Sequence, residues 1–480
     1  MMFDPCKYDF TDLEIKQAAT QNRLLSLEIE FNRQCNYRCP YCYAAATGDM
    51  RNDYDPRVID AAVQQAAELG ARKIVILGGE PLLYRSLREK IEMICALGLG
   101  VEIFTNGSMM SPERAAFLFK NSCRVAVKLN TRNPEVHDRL TGVKNSLENS
   151  LRALRLLKEA GFTSKMLCAS TIISADNIND VVDLWKYLRE NDITPYFEIM
   201  TPQGRLLEHQ ELTVDVHRLH NIFLELQEYD RSLGHHWDAQ PPLVGNKCLR
   251  HIYSALVNAQ GDVFPCVGID LKIGNILDKP LRQILSHSDI INDLKNHREM
   301  IKGPCRTCDK ASTCYGCRGT AYQLTGDYLA SDPLCWRNAD KLDQIQKLPL
   351  PAQAFMPHRP PMAMLELIHQ AGPVNLLSAV IHPDNRFLHS GGILDRAAIP
   401  ELVAQAGSVM DSFHYNGRVQ PGFLALGHSI RFSQDIHAGD EIFISFSSEN
   451  IIGGWHLLNF SIKNQRGELC SQGEVNVCAV

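Results

Sequence analysis

The sequence predicts an α/β protein built as a partial (β/α)6 barrel, followed by a cysteine-rich metal-binding extension and a C-terminal α+β domain. Six short β-rich runs alternate with amphipathic helical stretches in the first half of the chain. Cysteine and glycine become dense between Cys248 and Cys335, and strand-like alternation returns near the C-terminus. Because a chain of 480 residues is too long for one ordinary core, several folded units are expected.

The six apolar runs define the strands of the barrel. Each run except the last is followed by a helix, and this alternation predicts a parallel sheet with right-handed crossovers. Six such units form a partial, TIM-like version of the eight-fold barrel. The runs cover residues 25–31, 73–77, 101–105, 124–129, 166–172 and 195–199.

The composition favours a globular protein and argues against a disordered, nucleic-acid-binding or membrane-spanning one. Hydrophobic residues make up 45% of the chain and charged residues 22%, which argues against wholesale disorder. The net charge of -6 and the lack of a basic stripe disfavour nucleic acid as a partner. No signal peptide and no membrane span are expected, because the N-terminus lacks a basic head and no apolar stretch approaches roughly 18 residues. We therefore expect a cytoplasmic protein whose 16 cysteines favour metal over disulfides.

Three cysteines follow the first strand in the loop QCNYRCPYCYA. The thiolates of Cys35, Cys39 and Cys42 can hold three irons of a cubane and leave the fourth open to a substrate or cosubstrate. A zinc site would need a fourth ligand, which this neighbourhood lacks. Buried structural thiols are the alternative.

Two further loops are expected at the same end of the barrel, because parallel α/β barrels place ligands at the C-terminal ends of their strands. LGGEP, residues 77–81, follows the second strand, and TNG, residues 105–107, follows the third. Paired glycines allow a close backbone approach, and Glu80 offers a carboxylate to an ammonium group.

CxxxCxxC with an aromatic residue before the last cysteine, followed one strand later by GGEP, resembles the radical S-adenosylmethionine (SAM) superfamily. The resemblance implies that the three cysteines ligate a [4Fe–4S] cluster whose open iron binds SAM. Reductive cleavage would then give a 5′-deoxyadenosyl radical that takes hydrogen from the substrate. A reductant such as flavodoxin or ferredoxin is implied as a partner. The residues that the resemblance assigns to SAM are Tyr41, through its backbone, Gly78, Gly79, Glu80, Pro81, Thr105, Asn106, Lys128 and Asn130.

A second group of seven cysteines also predicts metal binding. They read C-x12-G-x4-C from Cys248 to Cys266 and C-x2-C-x5-C-x2-C from Cys305 to Cys317, with Cys335 behind them. The region is too poor in apolar periodicity to form a core without metal. Two zinc ribbons are the alternative, although they would use eight ligands.

The order of these cysteines resembles the SPASM extension of many radical SAM enzymes, which houses two auxiliary [4Fe–4S] clusters. The resemblance assigns Cys305, Cys308, Cys314 and Cys335 to a distal cluster, and Cys248, Cys266 and Cys317 to an inner one. Some relatives place another cysteine just ahead of the first, which this chain lacks, so we expect an open iron or a non-cysteine ligand in the inner cluster. The stretch 314–336 looks most like enzymes that mature peptide-derived quinone cofactors or trim tetrapyrroles. Six cysteines lack metal spacing and are expected to be ordinary, mostly buried thiols: Cys6, Cys95, Cys123, Cys168, Cys470 and Cys478.

The C-terminal part is expected to start after a semi-rigid linker, KLPLPAQAF. A helix over 394–414 and two alternating runs, EIFISFS and WHLLNFSIK, predict an antiparallel sheet packed on that helix. PHRPPMAMLELI, FLHSGGILDRAAIPELVAQAGS and GFLALGHSIRF resemble hotdog-fold hydroxyacyl carrier-protein dehydratases. This resemblance implies a homodimer and assigns Glu401 to the dehydration site, with His358 or His389 as its partner. The GHFP motif of better-known dehydratases is missing, so a domain that only binds acyl chains or dimerises is the alternative.

Together these observations predict an N-terminal segment (1–24), a radical SAM barrel (25–240), a SPASM domain (241–345), a linker (346–354) and a hotdog domain (355–480). The leading functional hypothesis is a radical SAM/SPASM oxidoreductase that acts on a thioester tethered to an acyl or peptidyl carrier protein, or on a peptide. A ribosomal-peptide maturase with a purely dimerising hotdog is the first alternative. An iron–sulfur electron carrier or redox sensor is the second, and it predicts cluster reduction without SAM cleavage.

Overall fold

The computed structural model describes residues 3–50, 54–345, 348–356, 358, 361–371, 374–414, 422–450 and 455–479. The chain divides into two compact units, Met1–Asn338 and Ala339–Val480, and each unit contains one sheet. Within the described residues, no helix combines the length and the apolar character that crossing a bilayer requires.

A nine-stranded sheet organises the first unit, with the order β6-β5-β4-β3-β2-β1-β7-β8-β9. Its first six strands run parallel in chain order, so the predicted α/β architecture is confirmed, and each bound lies within one residue of its prediction. The strands are β1 Ser26–Glu30, β2 Lys73–Leu77, β3 Gly100–Thr105, β4 Arg124–Lys128, β5 Leu167–Ile173 and β6 Thr194–Ile199.

Helices alternate with these strands and begin where the sequence provides caps. The helices α2, α4 and α5 carry proline at the first helical position, where its missing N–H costs no hydrogen bond. Those of the barrel are α1 Asp12–Thr20, α2 Pro56–Glu68, α3 Leu87–Ala96, α4 Pro112–Lys120, α5 Pro134–Thr141, α6 Ser146–Glu159, α7 Val181–Glu190 and α8 Val216–Ser232.

The prediction that no helix follows the last barrel strand is wrong, because α8 follows β6. Asp215 caps this helix by accepting from the amides of His217 and Arg218. Its buried residues, which include Val216, Leu219, Phe223 and Leu226, recur at helical spacing and give the helix an apolar face toward the core.

The cysteine-rich extension shares the sheet of the barrel. Strand β7, Leu256–Val257, pairs in parallel with β1, and the short antiparallel strands β8, Asp262–Phe264, and β9, Gly274–Asn275, complete the sheet. Its helices are α9 Arg250–Tyr253, α10 Leu281–Ser286, α11 Asp289–Lys295, α12 His297–Met300 and α13 Arg318–Thr325. Cys248 and Cys266 therefore flank a hairpin that continues the barrel sheet.

The second unit packs one long helix on a seven-stranded sheet, with the order β10-β11-β12-β14-β15-β16-β13. Helix α14, Ala398–His414, begins four residues later than expected, after Asp395 has accepted from the amide of Ala397. The predicted linker is partly wrong, because two of its residues pair with β11 as an edge strand. The strands are β10 Leu350–Pro351, β11 Leu367–Gln370, β12 Asn375–Val380, β13 Gly422–Phe432, β14 Glu441–Asn450, β15 Trp455–Asn464 and β16 Leu469–Ala479.

Candidate functional site

The loop between β1 and α2 carries the first three cysteines. The amide of Cys35 donates to Thr47 at 3.0 Å, and the amide of Cys42 donates to Cys39 at 3.2 Å, so the backbone of the loop folds back on itself. Burial raises the pKa of Cys35 to about 12 and that of Cys39 to about 11, and the charges of neighbouring cysteines add to both shifts. The three predicted ligands are thus close enough that the charge of one raises the pKa of another.

The two glycines after β2 fit closely against this loop. Gly79 donates to the carbonyl oxygen of Asn32 at 2.9 Å, and Glu80 donates to that of Gln34 at 2.8 Å. A Cβ on Gly79 would clash with the backbone of Gln34, and one on Gly78, whose φ is +138°, would clash with that of Asn32. Glycine is therefore required here for contact with the strand end that leads into Cys35.

The carboxylate of Glu80 is almost completely buried and joins two loops. One oxygen accepts from the amide of Leu82 at 2.9 Å and from the hydroxyl of Thr105 at 2.5 Å, and the other accepts from the amide of Asn106 at 2.7 Å. Burial raises the pKa of Glu80, while these donors oppose the rise. A carboxylate has about four acceptor positions, so these three bonds leave capacity for one more donor.

Asn106 connects the TNG loop to the cysteine loop. Its Nδ2 donates to the side-chain oxygen of Asn36 at 2.9 Å and lies 3.9 Å from Sγ of Cys35. Its Oδ1 accepts from the amide of Ser108 at 2.9 Å. The loops after β1, β2 and β3 therefore meet at one end of the barrel, as the motifs predict.

Tyr41, which lies within the cysteine loop, contacts Asn130, and the ammonium group of Lys128, the last residue of β4, lies 5.6 Å from the centre of the Tyr41 ring. The hydroxyl of Tyr41 accepts from Nδ2 of Asn130 at 2.6 Å, and Nζ of Lys128 donates to Oγ of Ser170 at 3.1 Å. Burial lowers the pKa of Lys128, and the charges of Glu198, Cys39 and Cys42 oppose this shift. Lys128 is thus a partly buried amine beside the cysteine loop. Pro81 is buried and starts a 3-10 helix, Pro81–Leu83, behind Glu80.

Two residues that the sequence analysis missed hold the cysteine loop in place. Nη1 of Arg205 donates to the carbonyl oxygen of Cys39 at 2.9 Å, its backbone amide donates to that of Cys42 at 3.1 Å, and Nη2 donates to that of Ala46. Gly204 has a φ of +60°, and a Cβ there would clash with the carbonyl oxygens of the loop. In the sequence, the only feature that could have indicated this role is a Gly-Arg pair after the last barrel strand.

The seven later cysteines interact electrostatically in two sets. Burial raises the pKa of Cys266, and the charges of Cys317 and Cys248 add to the rise. The pKa values of Cys314 and Cys335 are also raised by burial, with a contribution from Cys305 to both. The charge of Cys308 adds to that of Cys305 at Cys314. These sets coincide with the inner and distal ligand sets that the resemblance implies.

Asp332, another residue that the sequence did not indicate, interacts with cysteines of both sets. Its Oδ2 accepts from the amide of Cys317 at 2.6 Å, and its Oδ1 accepts from the amide of Leu334 at 2.9 Å. Its charge also raises the pKa of Cys314 and Cys335. A single buried carboxylate therefore faces both sets of cysteines.

Ten thiols in three sets suit iron–sulfur clusters, which are held by cysteine thiolates. Across the part of the chain that the structure describes, no three histidine, cysteine or acidic side chains meet closely enough to hold a single metal ion. A cubane places each thiolate on a different iron, so its ligands need not converge on one point. The six remaining cysteines lie elsewhere: Cys123, Cys168 and Cys470 are buried, Cys95 and Cys478 are half-buried, and Cys6 is exposed, so the expectation of mostly buried thiols holds for three of them.

In the second unit, Glu401 contacts a glutamine one helical turn away. Its Oε1 accepts from Nε2 of Gln405 at 2.9 Å, and the same Nε2 donates to the carbonyl oxygen of Met362 at 2.9 Å. Nε2 of His389 lies instead 3.5 Å from Oδ2 of Asp395 at an exposed position, and His358 is half-buried. Gln405 was missed in the sequence analysis, where only its helical spacing of four residues from Glu401 could have indicated it.

Family models identify two domains in the first unit. The radical SAM superfamily model matches residues 29–195, and the SPASM iron–sulfur cluster-binding domain matches residues 248–309. Both domains that the motifs predict are thereby confirmed. A [4Fe–4S] cluster, SAM and auxiliary clusters are the cofactors that belong to them.

Individual relatives agree with this assignment. The chain is 27% identical over 337 residues to an AdoMet-dependent heme synthase from Methanosarcina barkeri, a match that covers 64% of this chain and 94% of the relative. It is 23% identical to a PqqA peptide cyclase from Gluconobacter oxydans, over 65% of this chain and 90% of the relative. The crystal structure of Streptococcus suis SuiB bound to S-adenosylmethionine has a TM-score of 0.51 and 17% identity, and covers 68% of this chain and 84% of SuiB. That likeness shows a shared fold.

Proposed function

From the premise that this chain is a radical SAM enzyme with a SPASM iron–sulfur domain, we propose that it takes a hydrogen atom from a carrier-tethered thioester or a peptide in a biosynthetic pathway. The cluster and SAM, when bound, supply a 5′-deoxyadenosyl radical. The protein supplies binding, orientation and protection from water.

The observation that carries the proposal is the junction of three loops at one end of the barrel. Glu80 donates its amide to Gln34, next to Cys35, and accepts from Thr105 and Asn106 with its carboxylate. Glu80, an acidic group suited to the SAM ammonium, is thus tied by a direct hydrogen bond to the residue that precedes Cys35. The remaining acceptor capacity of Glu80 is the proposed contact for that ammonium group.

Other residues of the site have roles in orientation and charge. Lys128, a partly buried amine whose pKa is influenced by the charges of Cys39 and Cys42, is the proposed partner of a SAM carboxylate or ribose oxygen. Asn130 fixes the ring of Tyr41 through their 2.6 Å hydrogen bond, and the Tyr41 backbone is the proposed contact for the SAM adenine. Gly78, Gly79 and Asn106 complete the proposed SAM contacts, with Pro81 and Thr105 supporting the loop.

The second unit favours the thioester over the peptide. It combines an antiparallel sheet with one long helix, and that helix carries the Glu401–Gln405 pair. We propose that this unit is a hotdog domain that binds or dehydrates an acyl thioester and forms a homodimer, with Glu401 as its acid–base group and His358 or His389 as partner. The amide of Gln405 fixes the Glu401 carboxylate, which suits a base that must be oriented.

Isotope transfer tests the substrate class. The full-length chain, reconstituted anaerobically and reduced with flavodoxin, is incubated with SAM and a perdeuterated acyl group on a phosphopantetheinyl carrier protein. Deuterium in the recovered 5′-deoxyadenosine is the expected result. Transfer from a deuterated peptide and none from the acyl carrier would instead favour the peptide maturase, and reduction of the clusters without any 5′-deoxyadenosine would favour an electron carrier.

The proposed dehydratase activity of the second unit is tested separately. Glu401→Gln is expected to abolish dehydration of a 3-hydroxyacyl carrier thioester, while 5′-deoxyadenosine formation stays unchanged. Equal dehydration by the wild type and the variant would contradict the catalytic role of Glu401.

A further inference from the structure

The side chain of Asn338 reaches a sulfur of the distal set of cysteines. Asn338 ends the short 3-10 helix Trp336–Asn338, just after Cys335, and is only 3% exposed. Its Nδ2 lies 3.3 Å from Sγ of Cys305, a residue 33 positions earlier in the chain. A buried side-chain amide is thus in direct contact with one of the proposed cluster ligands.

The orientation of the Asn338 amide follows from its second contact. The same Nδ2 lies 2.8 Å from the backbone carbonyl oxygen of Asp332. Because a carbonyl oxygen only accepts hydrogen bonds, the nitrogen of the amide, and not its oxygen, must face Asp332. That nitrogen carries two hydrogens, so it can donate one to Asp332 and the other to the sulfur of Cys305. The hydrogen-bond network therefore assigns a donor to the sulfur.

Backbone hydrogen bonds hold the donor and the sulfur in place. The backbone amide of Asn338 donates to the carbonyl oxygen of Cys335 at 2.8 Å, and the amide of Cys335 donates to that of Asp332 at 3.3 Å. The backbone amide of Cys305 donates to Oγ of Ser331 at 2.8 Å. The donor is thus fixed to the segment of one distal cysteine, Cys335, while it contacts another, Cys305.

Three charged side chains lie close to the auxiliary cysteines. The two carboxylate oxygens of Asp332 accept from backbone amides at 2.6 and 2.9 Å. Oδ1 of Asp309 lies 3.4 Å from a cysteine sulfur of the distal set and accepts from Nη1 of Arg337 at 2.6 Å. Buried Arg318 donates to two backbone carbonyl oxygens. Replacing the neutral side chain of Asn338 by another neutral one leaves these charges unchanged, so its effect can be separated from theirs.

Hydrogen bonds to the sulfurs help to set the reduction potential of an iron–sulfur cluster. Reduction adds an electron and makes the cluster more negative. A donor to sulfur stabilises the reduced state more than the oxidised state, because a hydrogen bond strengthens with the negative charge of its acceptor. Burial increases the effect, since the surroundings screen the bond less than water does. Loss of a buried donor should therefore lower the potential.

We propose that Asn338 donates a hydrogen bond to Sγ of Cys305 in the distal auxiliary cluster and thereby raises the reduction potential of that cluster. Asn338 is a positioning residue, because it acts on the cluster through a ligand and is not itself one. The proposal rests on the proposed function, in which Cys305, Cys308, Cys314 and Cys335 hold an iron–sulfur cluster.

Asn338→Leu tests the proposal, because leucine has nearly the shape of asparagine but no N–H. The full-length chain is reconstituted anaerobically, its iron is counted, and the auxiliary signals are followed by EPR during a redox titration. The variant is expected to keep its iron and to shift the oxidised-to-reduced ratio of the distal cluster about tenfold toward oxidised at fixed potential, which is about 59 mV downward for one electron. The inner cluster is the internal reference and should not move, because the substitution changes no charge. Asn292→Leu on the exposed surface of α11 is the matched control and should move neither cluster.

A second measurement uses the wild-type chain and decides the question if Asn338→Leu loses iron. The chain is labelled with nitrogen-15 at the side-chain nitrogen of asparagine and reduced, and pulsed EPR is recorded on the signal of the distal cluster. A nitrogen-15 coupling is expected in that signal, since Nδ2 of Asn338 lies 3.3 Å from a ligand sulfur. A distal signal without this coupling would overturn the proposal.

The outcomes are distinguishable from failure of the proposed function. A wild-type chain that binds only one cluster would overturn the auxiliary assignment itself. A chain with all its iron, in which Asn338→Leu leaves the distal potential unchanged, raises it or shifts both auxiliary clusters equally, would overturn the role of Asn338 while leaving the proposed function intact.

Discussion

The backbone amide of Glu80 donates to the carbonyl oxygen of Gln34 at 2.8 Å, one residue before Cys35. The loop that carries the acidic residue of the site thus fixes the chain at the point where the cysteine loop starts. Disturbing this contact should therefore displace Cys35, even though no ligand is changed.

Gly79→Ala is expected to remove the first cluster, because its Cβ would clash with Gln34. Iron analysis should show the loss of roughly four irons, which is one cubane. Gly48→Ala is the matched control within the cysteine loop, since a Cβ there would lie 3.7 Å from the carbonyl oxygen of Cys35, an ordinary contact. Equal iron in both variants would contradict this role of the close approach.

Arg205 is not a cluster ligand, but we expect the first cluster to need it as much as it needs a cysteine ligand. Its side chain donates to the carbonyl oxygens of Cys39 and Ala46 and so holds the cysteine loop. Arg205→Gln is expected to lose roughly four irons and all SAM cleavage, and to keep the auxiliary irons. Arg38→Gln is the control, since Arg38 lies on the same loop in an exposed ion pair with Asp49. If the Arg38 variant loses as much iron as the Arg205 variant, the loss comes from removing a positive charge from the loop and not from losing the hydrogen bonds of Arg205.

The two sets of later cysteines can be tested by combining substitutions. Cys308→Ser with Cys335→Ser should lose no more iron than either alone, because both residues belong to one set. Cys308→Ser with Cys266→Ser should lose roughly eight irons, since independent sites add. Cys95→Ser should lose none. Additive losses within one set would show that the sets are wrongly drawn.

His137 on α5 is expected to make the barrel less stable in acid. Burial lowers its pKa to about 4, while its Nδ1 contacts Oγ of Ser146 at 2.8 Å. Because the folded-state pKa is below the unfolded value of about 6.5, protons favour the unfolded chain, and stability falls as the pH drops from about 6.5 toward 4. At pH 5.5 the cost is about 1.4 kcal/mol, or tenfold in local opening.

Hydrogen exchange of the peptides covering α5 and α6 measures this effect. The ratio of wild-type to His137→Gln exchange rates should rise about tenfold between pH 7.5 and 5.5, since intrinsic exchange cancels in the ratio. The same substitution at exposed His217 should leave the ratio flat. A flat ratio for His137 as well would mean that its burial carries no penalty.

The sequence predicted the barrel well, because its signals are local. Each strand run is apolar and bounded by turn residues, so all six strands appear within one residue of their predicted bounds. The cysteine, GGEP and TNG motifs could also be identified from the sequence, because each is a short continuous stretch that directly follows a predicted strand.

Contacts between distant segments could not be predicted in this way. Arg205 lies more than 160 residues from the cysteine carbonyl that it binds, and Arg250 lies 222 residues from Glu28. Neither arginine stands in a recognisable sequence motif, and only the folding of the barrel brings each one to its partner. The helix after β6 was missed for another reason: two 3-10 turns separate it from the strand, so it does not follow directly.

The most direct test is 5′-deoxyadenosine formation by the anaerobically reconstituted, reduced full-length chain supplied with SAM. The wild type should release 5′-deoxyadenosine, and the variant with Cys35, Cys39 and Cys42 all changed to alanine should release none while keeping its auxiliary irons. A wild-type chain that carries all its clusters and releases no 5′-deoxyadenosine with any carrier thioester or peptide, or a triple variant that still releases it, would contradict the assignment of radical SAM chemistry to these three cysteines.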